Sequence, residues 1–87
     1  MLAYSAFAGQ LQQTLEGHTR PVSAVCVLPD GRVVSGSGDK TLRIWNPTSG
    51  ACEVVLKGHT YHVTAVCVLP DGRVVSASHD KMLRVWC

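Results

Sequence analysis

Residues 17–57 read GHTRPVSAVCVLPDGRVVSGSGDKTLRIWNPTSGACEVVLK, and residues 58–87 read GHTYHVTAVCVLPDGRVVSASHDKMLRVWC. The second stretch repeats the first at a displacement of 41 residues, with Gly17-His18-Thr19 falling on Gly58-His59-Thr60 and Trp45 on Trp86. Inside the unit, Val22 to Leu28 is a β-branched run stopped by Pro29-Asp30-Gly31, and Arg32 to Ser35 resumes it, the pattern of a hairpin. Gly36-Ser37-Gly38-Asp39-Lys40 forms the next turn. Thr41 to Trp45 then alternates Leu42 and Ile44 with polar neighbours, Asn46 to Gly50 turns again, and Cys52 to Leu56 makes a fourth strand. The second copy contains three of these strands, Val63 to Leu69, Arg73 to Ser76 and Met82 to Trp86, and lacks the fourth.

A period of about 40 to 45 residues, with Gly-His near its start and Trp near its end, is that of a four-stranded propeller blade. The expected fold is therefore all-β: two four-stranded antiparallel blades, the second without its own fourth strand. Three units follow, 17–57 and 58–87 as repeats and 1–16 as the degenerate end of a preceding one. Within 1–16, Leu11 to Glu16 aligns with Cys52 to Lys57 and leads likewise into Gly-His, which makes it an orphan fourth strand. Upstream, Leu2-Ala3-Tyr4 falls on Arg43-Ile44-Trp45 and Gly9 on Gly50.

Composition narrows the function. With 46% hydrophobic and 16% charged residues in 87, the chain has apolar surface to pack and is not a disordered tail. No apolar run reaches the roughly 20 residues that carry a helix across a bilayer. Ala6-Phe7-Ala8 resembles a signal-peptidase site, but no basic segment precedes it and the apolar stretch before it is too short, so a cytoplasmic chain is expected. The net charge of +2 is small and its Lys and Arg are dispersed, which argues against a phosphate-binding stripe and so against nucleic acid. Cys26 and Cys67 occupy matching points of the two copies, and no Cys-x-x-Cys is present. Reduced, mostly buried thiols are expected, with no role assigned to Cys52 and Cys87.

The recurring elements Gly17-His18, Pro29-Asp30-Gly31, Ser35-Gly36-Ser37, Asp39 and Ile44-Trp45, then Gly58-His59, Pro70-Asp71-Gly72, Ser76, Asp80 and Val85-Trp86, resemble the WD-repeat family over nearly the whole chain. One departure is the final dipeptide: the family usually has Trp-Asp, whereas this chain has Trp45-Asn46 and Trp86-Cys87. The resemblance implies a buried polar network in each blade, made here by His18, Ser35, Asp39 and Trp45 and by His59, Ser76, Asp80 and Trp86. A buried indole N–H requires an acceptor; a hydroxyl can accept it and donate onward, and an imidazole links that hydroxyl to a carboxylate.

Ser, His and Asp are also the residue types of a hydrolase triad. The set occurs twice, brings its own Trp and lacks a Gly-x-Ser-x-Gly elbow, so the structural network is the better reading and the hydrolase a distant alternative. A metal site at His59, His62 and His79 is weighed against His59's place in the network and set aside; no metal and no cofactor is expected. The copies differ at Arg20/Tyr61, Pro21/His62, Ser23/Thr64, Gly36/Ala77 and Gly38/His79, and at a few positions on the third strand. By resemblance, Arg20, Pro21, Ser23, Gly38, Tyr61, His62, Thr64 and His79 line one propeller rim and grip an unknown protein or peptide. The expected function is a non-enzymatic interaction scaffold.

Two repeats fall short of the three or so that such units need for stability. Completion by self-assembly, as a trimer or tetramer of this chain, or by the remaining blades of a longer chain is therefore expected. The alternative is a fragment or structural remnant of a longer propeller with no partner of its own.

Overall fold

The computed structural model describes residue 9 and residues 11–87. Among the described residues seven strands follow one another: β1 (Val22–Val27), β2 (Val33–Ser37), β3 (Thr41–Trp45), β4 (Cys52–Lys57), β5 (Val63–Val68), β6 (Val74–Ser78) and β7 (Leu83–Trp86). They form one four-stranded sheet, β1-β2-β3-β4, and one three-stranded sheet, β5-β6-β7, each antiparallel between sequential neighbours. These are the two blades. The correspondence of Leu2-Ala3-Tyr4 with Arg43-Ile44-Trp45 lies outside the described residues.

Local chemistry makes each hairpin. The Leu28 amide donates to the Arg32 carbonyl and the Gly31 amide to the Leu28 carbonyl, so Pro29-Asp30-Gly31 is a three-residue loop that ends in a left-handed residue. Gly31 supplies that conformation at φ 95°, and Gly72 repeats it at 93°. In the β2–β3 turn the left-handed position falls to Lys40 (φ 74°), and in β6–β7 to Lys81 (φ 70°). β2 runs to Ser37, past the Ser35 at which the sequence pattern placed its end. Val22 pairs with Ser37 and Ala24 with Gly36, and this continuing ladder draws Gly36 and Ser37 out of the expected turn.

Strand alternation then assigns the faces. On blade 1, Val34, Gly36, Leu42 and Ile44 share one side through the pairs Val34–Ile44 and Gly36–Leu42, while Val25, Ser35 and Arg43 share the other. The first side turns toward blade 2, where Leu28, Val34, Leu42 and Ile44 pack with Val63 and Val74 and are flanked by Leu56, Val66, Val68 and Trp86. The main core is thus the seam between blades. The Ser23 hydroxyl, close to both the Gly36 and Val63 carbonyls, stitches that seam at the inner strands.

Leu11–Glu16 does not form a strand. A strand exists through a neighbour's ladder, and no other strand among the described residues lies beside this one; Gln13 instead donates from Nε2 to the Thr48 carbonyl at 3.3 Å. Gly9 and Gly50, matched by the 41-residue displacement, share the left-handed conformation at φ 73° and 79°.

Candidate functional site

The approach to β1, the second strand and the turn after it converge behind each blade. In blade 1, the Trp45 indole Nε1 donates to Ser35 Oγ at 2.8 Å, and Ser35 Oγ lies 2.6 Å from His18 Nε2. His18 Nδ1 lies 2.8 Å from Asp39 Oδ2. One proton arrangement satisfies every member: His18 neutral with its hydrogen on Nδ1, donating to the carboxylate and accepting the serine proton at Nε2. Blade 2 repeats the chain of contacts with Trp86–Ser76 at 2.8 Å, Ser76–His59 at 2.6 Å and His59–Asp80 at 3.0 Å. The structure brings all eight of these residues together, four to a blade.

Three further groups join each network, and the sequence reading passed over them. Thr19 and Thr60 donate their amides to Asp39 Oδ2 and Asp80 Oδ2. Ser37 and Ser78 accept the aspartate amide and donate their hydroxyls to the Arg20 and Tyr61 carbonyls. Thr41 gives Asp39 Oδ1 both its amide, at 3.0 Å, and its hydroxyl, at 2.6 Å, whereas Met82 gives Asp80 only its amide. A Ser two residues before the turn Asp and a Thr two residues after it are the available signals for these partners, and the Thr19 and Thr60 amides give none.

Burial pushes the Asp39 carboxyl upward, but hydrogen bonds from Thr41, His18 and Thr19 outweigh it and hold the group well below the ordinary carboxylate range. For Asp80 burial again raises, and His59, Thr60 and Met82 together bring the carboxyl down to about 2. Both acids are therefore ionised acceptors at neutral pH. The contact order Asp–His–Ser matches a hydrolytic triad, yet Ser35 and Ser76 are buried and each hydroxyl already accepts an indole N–H. A nucleophile needs an exposed oxygen facing a cleft, and neither serine presents one.

The rim side chains take no part in the network, although the Arg20 and Tyr61 carbonyls accept from Ser37 and Ser78 at its edge. The His62 and His79 rings approach to 4.2 Å between centroids, and the His79 amide donates to the His62 carbonyl at 3.2 Å. Tyr61 is 59% exposed beside them, and a shallow depression is lined by Tyr61, His62, His79 and Lys81. In blade 1, Gly38 donates its amide to the Pro21 carbonyl, and a Cβ on Gly38 would stand 3.3 Å from Arg20 Cβ and, across the seam, 3.9 Å from His62 Cβ. Arg20, Pro21, Tyr61, His62 and His79 are exposed, and with the half-buried Gly38 they make one strip along both blades. Ser23 and Thr64 are exposed as well, with their hydroxyls engaged: Ser23 bonds at the seam, and the Thr64 hydroxyl donates to the Ala77 carbonyl within its own blade. Their hydroxyls are spent on backbone because β1 and β5 leave those carbonyls within reach.

His59 is held by Asp80 and Ser76 and does not converge with His62 and His79, and among the described residues no group of three or more His, Cys, Asp or Glu could hold a metal. The thiols differ from expectation as well. Cys67 and Cys87 are exposed and Cys26 and Cys52 half-buried, all four free, because the inner strands and the end of β7 have only one covered side.

Sequential antiparallel sheets packed face to face around a seam, each locked by a Trp–Ser–His–Asp network, define blades of a β-propeller. A family description, WD domain, G-beta repeat, matches residues 9–46 and again 50–87, and the chain belongs to this WD40 family. Both matches begin at the paired left-handed glycines, Gly9 and Gly50. The WD40 β-propeller domain of Doa1 superposes with a TM-score of 0.88 at 29% identity, covering 92% of this chain and 27% of that one. The computationally designed Ika4 protein superposes at 0.77 and 35% identity, over 90% of this chain and 48% of that one. The vegetative incompatibility protein HET-E-1 of Podospora anserina is 56% identical over 39 residues, 44% of this chain and 3% of its own length. The tRNA (guanine-N(7)-)-methyltransferase non-catalytic subunit wuho of Drosophila pseudoobscura pseudoobscura is 50% identical over 34 residues, 39% of this chain and 9% of its own. The chain thus spans a small part of each relative. Its repeats and fold are those of protein-interaction scaffolds in general.

Proposed function

We propose that the chain is a non-enzymatic scaffold that holds a protein or peptide partner on the strip formed by Arg20, Pro21, Gly38, Tyr61, His62 and His79, as part of a propeller completed by further blades. The observation that carries this reading is the exposed Tyr61 beside the closely approaching His62–His79 pair, placed where the two copies differ while the Trp–Ser–His–Asp network beneath them is the same. Aromatic side chains concentrate binding energy at interfaces, and a rigid β rim holds them without ordering cost. The non-enzymatic part is supported by the occupied serine hydroxyls, and a relative with half its residues identical over one repeat is itself named a non-catalytic subunit.

The test is quantitative affinity capture with the chain and with a Tyr61→Ala, His62→Ala, His79→Ala variant of unchanged circular dichroism. A partner held by this strip is depleted at least about tenfold on the variant, as hot-spot truncation predicts. A partner recovered equally by both chains would place recognition elsewhere.

A further inference from the structure

Each blade has two apolar sides, and the seam uses only one side of each. Blade 1 turns Leu28, Val34, Leu42 and Ile44 inward; blade 2 answers with Val63, Val66, Val68 and Val74. The outer side of blade 1 carries Val22, Val25 and Val27, the same residue types as Val63, Val66 and Val68, and there they are exposed, Val25 by 66%. The outer side of blade 2 carries Val75, Leu83 and Val85, the counterparts of Val34, Leu42 and Ile44, with Leu83 exposed by 74% although Leu42 is fully buried. The two outer sides are therefore the two halves of the contact that the blades already make with each other.

The strand edges agree. β3 is covered by β4, with Leu42 opposite Leu56, Arg43 opposite Val55, Ile44 opposite Val54 and Trp45 opposite Cys52. β7 has no such neighbour among the described residues. Moving the pairing by 41 residues sets Leu83 opposite Leu15, Arg84 opposite Thr14, Val85 opposite Gln13 and Trp86 opposite Leu11. β4 closes blade 1 and then leads directly into blade 2; Leu11–Glu16 stands in the same relation to blade 1.

We infer that a second copy of this chain docks head to tail, seating its Val22, Val25 and Val27 on Val75, Leu83 and Val85 of the first and laying its Leu11–Glu16 along β7. The contact is heterologous, so it closes into a ring where the rotation per copy allows and otherwise extends as a fibre. It differs from the internal seam at one point. At Gly36 a Cβ would lie 2.6 Å from the Val63 side chain, and the counterpart of Gly36 is Ala77, which has that methyl. Val22 of the incoming copy consequently seats farther from β6 than Val63 does from β2. The inference stands on the blade faces and is independent of what the rim binds.

Complementary blocked chains test it. A front-blocked chain carries Leu83→Glu and Val85→Glu; a back-blocked chain carries Val25→Glu and Val27→Glu. All four positions are exposed in the single chain, so the charges fall on the proposed contact and not in the seam. By light scattering each blocked chain alone runs at monomer mass, and the equimolar mixture runs at twice that mass, capped at both ends. Should either blocked chain be unfolded alone, the gain of β signal on mixing reports the same contact. Deleting Leu11–Glu16 from the front-blocked chain weakens the pair by more than about tenfold, while the same deletion in the back-blocked chain leaves it intact. Ala77→Gly in the back-blocked chain tightens it severalfold. A mixture that does not associate, a blocked chain that pairs with itself, or equal effects of the two deletions overturns the proposal.

Discussion

Gly36 and Val63 meet across the seam with no room between them: a methyl on Gly36 would lie 2.6 Å from Val63 Cγ1 and 3.2 Å from Val66 Cγ1. Gly36 is buried in β2 with an ordinary strand conformation, so its glycine is there for the approach of the other blade and not for its own backbone. Gly36→Ala is expected to destabilise the chain by about 1 to 3 kcal/mol, the cost of overpacking a well-filled contact. Thermal melting checks it, and an unchanged melting temperature would mean that the blades part easily.

Gly31 isolates the opposite cause. It has φ 95° and no atom within 4 Å of where a Cβ would stand, so any cost of Gly31→Ala comes from backbone conformation alone. About 1 to 2 kcal/mol is expected. Lys40 is in the left-handed region with a side chain already, and Lys40→Gly should recover up to about 1 kcal/mol. Denaturant titration of the pair separates the effects; opposite signs are the expected result.

Ser35→Ala removes the hydroxyl that joins Trp45 to His18, leaving a buried indole N–H and a buried imidazole nitrogen without partners. The loss is about 1 to 3 kcal/mol for each unsatisfied group. Trp45 is only 2% exposed, so its fluorescence should shift on the substitution while the strand content is kept. A variant as stable as the parent would show that water replaces the serine without loss.

Asp39 and Asp80 make acid stability predictable in sign. Their folded carboxyls lie below the ordinary 3.8, Asp80 at about 2, so the unfolded chain binds more protons between these values. Their contribution is complete above about pH 4 and is lost as pH falls toward about 2. Melting temperature should therefore drop through that window, and Asp39→Asn should flatten the drop. Met82→Thr would restore to blade 2 the hydroxyl that Thr41 supplies to Asp39, raising the melting temperature by about 2 to 5 °C. A flat profile from pH 4 to pH 2 would contradict the assignment.

Most of the blade was legible in the letters because its signals are local. Pro29-Asp30-Gly31 marks a turn by what proline and glycine do to a backbone, and Leu42 and Ile44 alternate because one side of β3 is dry. The network was legible from recurring His, Ser, Asp and Trp, and its extra donors were less so, since a backbone amide such as that of Thr19 leaves no mark on residue type. Burial was not legible. Val25 and Val66 are the same residue in the same context, yet only Val66 packs against the core, and the difference is made by the neighbour at the seam. For the same reason Cys67, inside an apolar run, faces outward. Ser37 could not be assigned to a strand from its glycine-rich surroundings, because its pairing partner Val22 is 15 positions away.

The near-identity of Val22, Val25 and Val27 with Val63, Val66 and Val68 has a genetic consequence. A module whose leading surface matches its own trailing surface can be multiplied by simple tandem duplication, since every inserted copy meets a seat already shaped for it. Change where the turns project leaves the joints as they are, whereas one altered methyl at a joint sets how far apart successive modules stand.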